Sequence, residues 1–142
     1  MKSFSTSIQI NASAERVWEI LIDASSWTKW NSTIEKIEGS IAPGQKVTVV
    51  AKASPGQAFP LKVTEFDPNK SMVWTGGMPL GLFTGKRTYS IRDVDEFLSE
   101  FSMNEAFTGL MAPLITRSIP NLQPSFDEFA KCLKGYAEST AT

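Results

Sequence analysis

Arg87, Glu105 and Glu65 are the charged residues whose spacing gives them chemistry to do. Arg87 falls in a run from Leu82 to Arg92 in which Phe83, Tyr89 and Ile91 share one face by two-residue alternation, so the guanidinium shares that face. Glu105 stands in the same relation to Phe101, Met103 and Phe107 in a run from Phe97 to Phe107, and Glu65 stands so to Val63. The acidic turn Asp93-Val94-Asp95-Glu96 makes the two longer runs a hairpin, which brings Arg87 and Glu105 side by side, directly or diagonally. A guanidinium stays protonated, so Arg87 suits a carboxylate or an enolate oxygen, while a neighbouring carboxylate orients that ligand or moves a proton. A structural ion pair is the plainer reading of the same residues, because an inward charge is costly without a partner.

Other chemistries are closed to this chain. It has no histidine, which excludes His-based triads, His-ligated zinc and imidazole acid–base catalysis. A single cysteine, Cys132, cannot form an internal disulfide, which fits a reducing, cytoplasmic location. Cys132 lies within the apolar rhythm of the last helix, where a packing role is expected of it. No cofactor or metal site is expected. Fourteen basic and fifteen acidic residues leave a net charge of -1, with no global field for nucleic acid or an anionic membrane. The N-terminus from Met1 to Ile10 alternates instead of forming the apolar run of a signal peptide, and no stretch is apolar enough to span a bilayer.

Strands closed by a helix must position the charged residues. Phe4, Thr6, Ile8 and Ile10 alternate with Ser3, Ser5, Ser7 and Gln9 as a half-buried first strand. Ser13 then caps a helix whose buried stripe is Val17, Trp18, Leu21 and Ile22, and Ser25 is expected to cap a second, short helix carrying Trp27 and Trp30. From Asn31 the pattern is strand-like: Ile34 to Ile41, then Val47, Val49 and Ala51, then Phe59, Leu61 and Val63, then Met72 and Trp74. Turn signals at Pro43-Gly44, Ser54-Pro55-Gly56, Asp67-Pro68-Asn69 and Gly76-Gly77 separate them, which argues for an antiparallel meander. Leu110 to Arg117 and Leu122 to Ala137 finish the chain, with Pro120 and Pro124 marking a break. Leu122, Phe126, Phe129, Ala130, Leu133 and Ala137 give the last helix a clear stripe. One domain over residues 1–142 is expected, of α+β class: a curved antiparallel sheet of about seven strands, covered on one face by the terminal helix.

The chain resembles the START-like (SRPBCC) superfamily, the polyketide cyclase/dehydrase and lipid transport family. Ile10-Asn11-Ala12-Ser13-Ala14-Glu15-Arg16-Val17-Trp18 followed by Trp30-Asn31 is similar to the family's opening helices, and Asp67-Pro68 leading to Met72-Val73-Trp74 to its central hairpin. The segments Gly81 to Tyr89 and Asn104 to Leu114 resemble two more of its stretches, in the family order. The resemblance implies a helix-grip fold with a hydrophobic cavity between the sheet and the C-terminal helix. It implies no single activity, since the superfamily includes cyclases, lipid carriers, hormone receptors and chaperone co-regulators. Where relatives often carry a histidine in a Gly-x-His segment, this chain has Arg87, which cannot shuttle protons.

In such a cavity Trp27 and Trp30 would flank the mouth, and Met72 and Trp74 would face inward from one strand. Phe83, Arg87 and Tyr89 would line it from the next strand and Met103, Glu105 and Phe107 from the last, with Met111 and Ile115 ahead of the helix. Met78, in the glycine-rich loop Gly76 to Gly81, belongs to the same adaptable surface, and the loop reads as a lid or simply a long turn. The expected function is binding or transport of a hydrophobic or aromatic small molecule, lipid- or polyketide-like. The alternatives are a cyclase/dehydratase-like enzyme using Arg87 with Glu105 or Glu65, and a protein-interaction module of the chaperone co-regulator type. Expected partners are a hydrophobic ligand, no nucleic acid and no integral membrane contact, in a monomer or homodimer.

Overall fold

In the computed structural model, which describes residues 3–52, 56–78, 80–118 and 121–140, alternation and turn chemistry produce one seven-stranded sheet. Its strands are β1 (Ser3–Ile10), β2 (Ile34–Gly39), β3 (Lys46–Ala51), β4 (Ala58–Asp67), β5 (Ser71–Met78), β6 (Phe83–Asp95) and β7 (Leu98–Thr108). All pairings are antiparallel and the order is β1-β7-β6-β5-β4-β3-β2, so β2 to β7 form a meander and β1 closes onto its last strand. The curled sheet forms a half-barrel around a C-terminal helix, an α+β helix-grip arrangement.

Helix α1 (Ala14–Ile22) starts where Ser13 accepts a hydrogen bond from the Arg16 amide at 3.1 Å, and it buries Val17, Trp18, Ile20 and Leu21. The second short helix begins differently from expectation. Asp23, not Ser25, supplies the cap: its carboxylate accepts from the Ser25 amide at 3.2 Å and starts a single 3-10 turn, Ala24–Ser26. That turn runs straight into α2 (Trp27–Trp30), whose two tryptophans are both buried. A carboxylate is the stronger acceptor at a helix N-terminus, which is why it wins over the neighbouring hydroxyl. β2 ends at Gly39, earlier than the expected Ile41, because Gly39 turns at φ +102 with its α-carbon against the Lys46 carbonyl.

After β7 the chain forms α3 (Ala112–Ile115), a 3-10 turn (Thr116–Ser118) and the long α4 (Gln123–Thr140). α4 lies along β1 and is tied to it at both ends. Gln123 donates to the Ser5 carbonyl at 2.7 Å, and Glu138 accepts from the Asn11 amide at 2.8 Å. Its buried stripe is Phe126, Phe129, Ala130, Leu133 and Ala137, as its periodicity requires. No helix among the described residues is long and apolar enough to cross a membrane. Met1, Ser54-Pro55, Pro79 and Pro120 and the side chain of Met78 lie outside the described residues.

Candidate functional site

Strands β6 and β7 pair in the register that sets Arg87 directly opposite Glu105. Arg87 Nε donates to Glu105 Oε1 at 2.6 Å, a short charge-assisted bond. The pair is sheltered but not sealed: the side chains are 28% and 14% exposed. The guanidinium carbon lies 4.9 Å from the centre of the Phe126 ring in the first turns of α4, so the cation is clamped between a carboxylate and an aromatic face. Its other polar side-chain neighbour is the Tyr89 hydroxyl.

Burial works against the charge on Arg87, but the Glu105 carboxylate and Tyr89 outweigh it and hold the group firmly protonated, above the usual arginine range. Tyr89, two residues along on the same face, is fully buried, and its hydroxyl has no well-formed hydrogen bond among the described residues. Burial pushes its pKa up to about 12, opposed by the nearby guanidinium.

Beside Arg87 is a partly open cavity of about 60 Å³. Its walls come from Thr33 and Ile34 at the start of β2, Val49 and Ala51 of β3, Met103 of β7, and Leu122, Ser125, Phe126 and Phe129 at the start of α4. A water needs roughly 10–15 Å³ of such space, so a few waters or a small polar group fit, whereas pockets for drug-sized ligands run to roughly 300–1,000 Å³.

Of the expected lining residues, only Arg87 and Met103 border this cavity. The aromatic ones pack on each other instead. The Trp27 ring stacks on Trp74 at 5.3 Å and meets Trp30, Tyr89 and Phe129 within 6.2 Å. Phe83 stacks on Phe107 at 5.7 Å, and the Trp74 indole N–H donates to the sulfur of buried Met72 at 3.4 Å. Met111 and Ile115 are half-buried in the α3 region, away from the cavity wall.

Glu65 is a correction: it is exposed on the outer face and is not near Arg87. Val63 pairs with Trp74 but Glu65 with Val73, so a bulge at Thr64 reverses the alternation, and Phe66 turns inward against Trp18 at 5.2 Å. Thr33, Ile34, Val49, Ala51, Leu122, Ser125, Phe126 and Phe129 were absent from the expected set. Alternation in β3 and the α4 stripe mark several of them as inward-facing, but nothing in the sequence separates a cavity wall from filled core. Among the described residues, no three Cys, Asp or Glu side chains come together as a metal site.

The model of the family described as polyketide cyclase/dehydrase and lipid transport matches residues 1–138. No curated protein sequence matches the chain. Among solved structures, the chain is similar to the ZhuI aromatase/cyclase from Streptomyces sp. R1128, at TM-score 0.76 and 13% identity over 99% of each chain. It is also similar to a hypothetical protein of Helicobacter pylori, at TM-score 0.78 and 16% identity over 96% of this chain and 88% of that one. A START superfamily protein from Mycobacterium smegmatis aligns at TM-score 0.72 and 16% identity, over 96% of this chain and 97% of the other. At such identities the likeness is one of fold.

Proposed function

This chain belongs to the polyketide cyclase/dehydrase and lipid transport family, and we propose that it binds a hydrophobic or aromatic small molecule carrying an oxyanion or carbonyl group. The polar end of the ligand sits at Arg87 and the apolar remainder lies between the sheet and α4. One observation carries this reading. A guanidinium fixed by Glu105 at 2.6 Å lies at the edge of a cavity whose other walls are mostly apolar. Convergent polar groups in an apolar recess are the ordinary anatomy of a small-molecule site.

A cavity of about 60 Å³ receives only the polar end of such a ligand. The remainder requires the first turns of α4 and the β2–β3 edge to part, as happens where binding remodels a minor conformation. Native mass spectrometry of protein purified from its own host, with a screen of aromatic carboxylates, phenols and fatty acids, tests the proposal. Retained ligand that Arg87→Gln releases is the expected result. Protein that takes up none of these compounds overturns it.

A second reading, cyclase- or dehydratase-like turnover, draws on Tyr89. Its buried, protonated hydroxyl lies near Arg87, so the two together could donate to an oxygen that gains charge in a transition state. Glu105 would then position Arg87. Under that reading Arg87→Ala abolishes turnover of a candidate polyketide while the circular dichroism spectrum is kept; unchanged turnover counts against it.

A further inference from the structure

Five of the seven large apolar side chains that stand exposed among the described residues sit at one end of the sheet. They are Phe59 at the start of β4, Leu80 and Leu82 between β5 and β6, and Leu110 and Leu114 after β7. Antiparallel pairing brings these segments to the same end, and the backbone joins two of them. The Leu110 amide donates to the Gly81 carbonyl at 3.2 Å and the Met111 amide to the Leu82 carbonyl at 2.7 Å. Gly109, at φ +113, permits this approach, because a β-carbon there would stand 2.7 Å from the Leu82 oxygen. The four leucines thus lie on two adjoining segments, with Leu80 and Leu82 in one loop, Leu110 in the other and Leu114 in the α3 turn that follows it. Leu80 is 95% exposed and holds a left-handed backbone, φ 61, where glycine or asparagine costs less. A leucine kept in that conformation with no burial in return marks a position with an external partner.

Charge says which partner. Residues 46–64, 72–87 and 106–126, which lead into and out of this end, contain none of the fifteen acidic residues. They contribute exposed Lys62 and Lys86, which share one face of the sheet through Thr75, together with Lys52 and Arg117. Acidic side chains gather at the opposite end, with Asp67 closing β4 and Asp93, Asp95 and Glu96 at the β6–β7 hairpin. A net charge of -1 conceals this segregation. Exposed Glu35, at the start of β2 on the far edge of the sheet, is the one carboxylate at this end among the described residues. Protruding leucines bordered by cations match an anionic lipid surface, where apolar tips enter the headgroup boundary and lysines meet the surface potential. We propose that this end of the molecule docks reversibly on anionic bilayers, with Leu80 and Leu110 as the inserting residues. The reading stands apart from the ligand at Arg87.

Sedimentation with vesicles of phosphatidylcholine alone, and of phosphatidylcholine with phosphatidylglycerol in a three-to-one ratio, tests it. Binding is expected to the anionic vesicles only, and to weaken as salt is raised. The double variant Leu80→Asn/Leu110→Asn is expected to bind at least about tenfold more weakly, with circular dichroism and melting unchanged, since asparagine suits the left-handed position. Lys62→Gln/Lys86→Gln is expected to weaken binding and flatten its salt dependence. Equal sedimentation of the double variant and the parent, or no binding to anionic vesicles, overturns the proposal. It is overturned equally if the leucine substitutions abolish self-association in analytical ultracentrifugation while vesicles bind neither protein, for then the patch joins two copies of the chain.

Discussion

When the Arg87 guanidinium is removed, Glu105 is left at 14% exposure beside an apolar wall. Stranding a sheltered carboxylate costs more than the net worth of the pair, so Arg87→Ala is expected to lower stability by about 1–3 kcal/mol; solvent at Arg87 keeps it below the cost of a fully buried pair. The double change Arg87→Leu/Glu105→Leu is expected to recover most of that loss in urea denaturation, because it removes both desolvated charges. Tyr89 gives a second test. Its hydroxyl is buried with Arg87 as its polar neighbour and no well-formed hydrogen bond, so Tyr89→Phe is expected to change stability at neutral pH by no more than about 1 kcal/mol. With its pKa raised from 10.0 to about 12 in the folded chain, the hydroxyl is protonated in both states below pH 10 and favours neither. Between pH 10 and 12 the unfolded chain loses its proton first, and the protein loses about 2–3 kcal/mol that Tyr89→Phe keeps. Melting curves of the two proteins from pH 8 to 12 should therefore diverge only above 10. The Arg87–Glu105 pairing was legible in the sequence because both strands alternate without interruption from Phe83 to Ile91 and from Phe101 to Phe107. The surroundings of the Tyr89 hydroxyl were not legible, since they depend on tertiary packing and not on strand alternation.

Elements were legible where a local rule acts alone and misread where tertiary geometry intervenes. Ser13 is a cap by its own chemistry, and Ser13→Ala is expected to cost about 1 kcal/mol in thermal or urea denaturation through the lost bond to the Arg16 amide. Glu65 was misplaced because two-residue alternation assumes an unbroken strand, and the bulge at Thr64 breaks it. The sequence held a hint: unbroken alternation that turns Glu65 inward would put its neighbour Phe66 in water. The loop pair at the apolar end depends in the same way on one position. Gly109→Ala would place a β-carbon 2.7 Å from the Leu82 carbonyl at a backbone angle that disfavours it. Hydrogen exchange should then show the Leu110 and Met111 amides losing protection while β1 and α4 keep theirs.

At the scale of the molecule, sequence pattern gave the container and could not give its free volume. Inward-facing aromatic residues read identically whether they surround a ligand or one another, and here Trp27, Trp74, Tyr89, Phe101 and Phe129 pack on one another. Phe129 is the member that both closes this cluster and walls the cavity beside Arg87, so it separates packing from binding. Phe129→Ala is expected to cost about 3–5 kcal/mol, because α4 is held to β1 at both ends and cannot collapse into the space. The enlarged cavity is mainly apolar and should take a small aromatic such as indole, which would raise the melting temperature of the variant in proportion to its concentration. The parent protein, with its core occupied, should show no such rise with indole. It should respond only to ligands able to engage Arg87 and displace the first turns of α4. Hydrogen exchange of the amides from Ser125 to Phe129, with and without an aromatic carboxylate, reads that displacement directly. A parent protein stabilised by indole as strongly as Phe129→Ala would show that the aromatic cluster leaves room for a ligand without moving the helix.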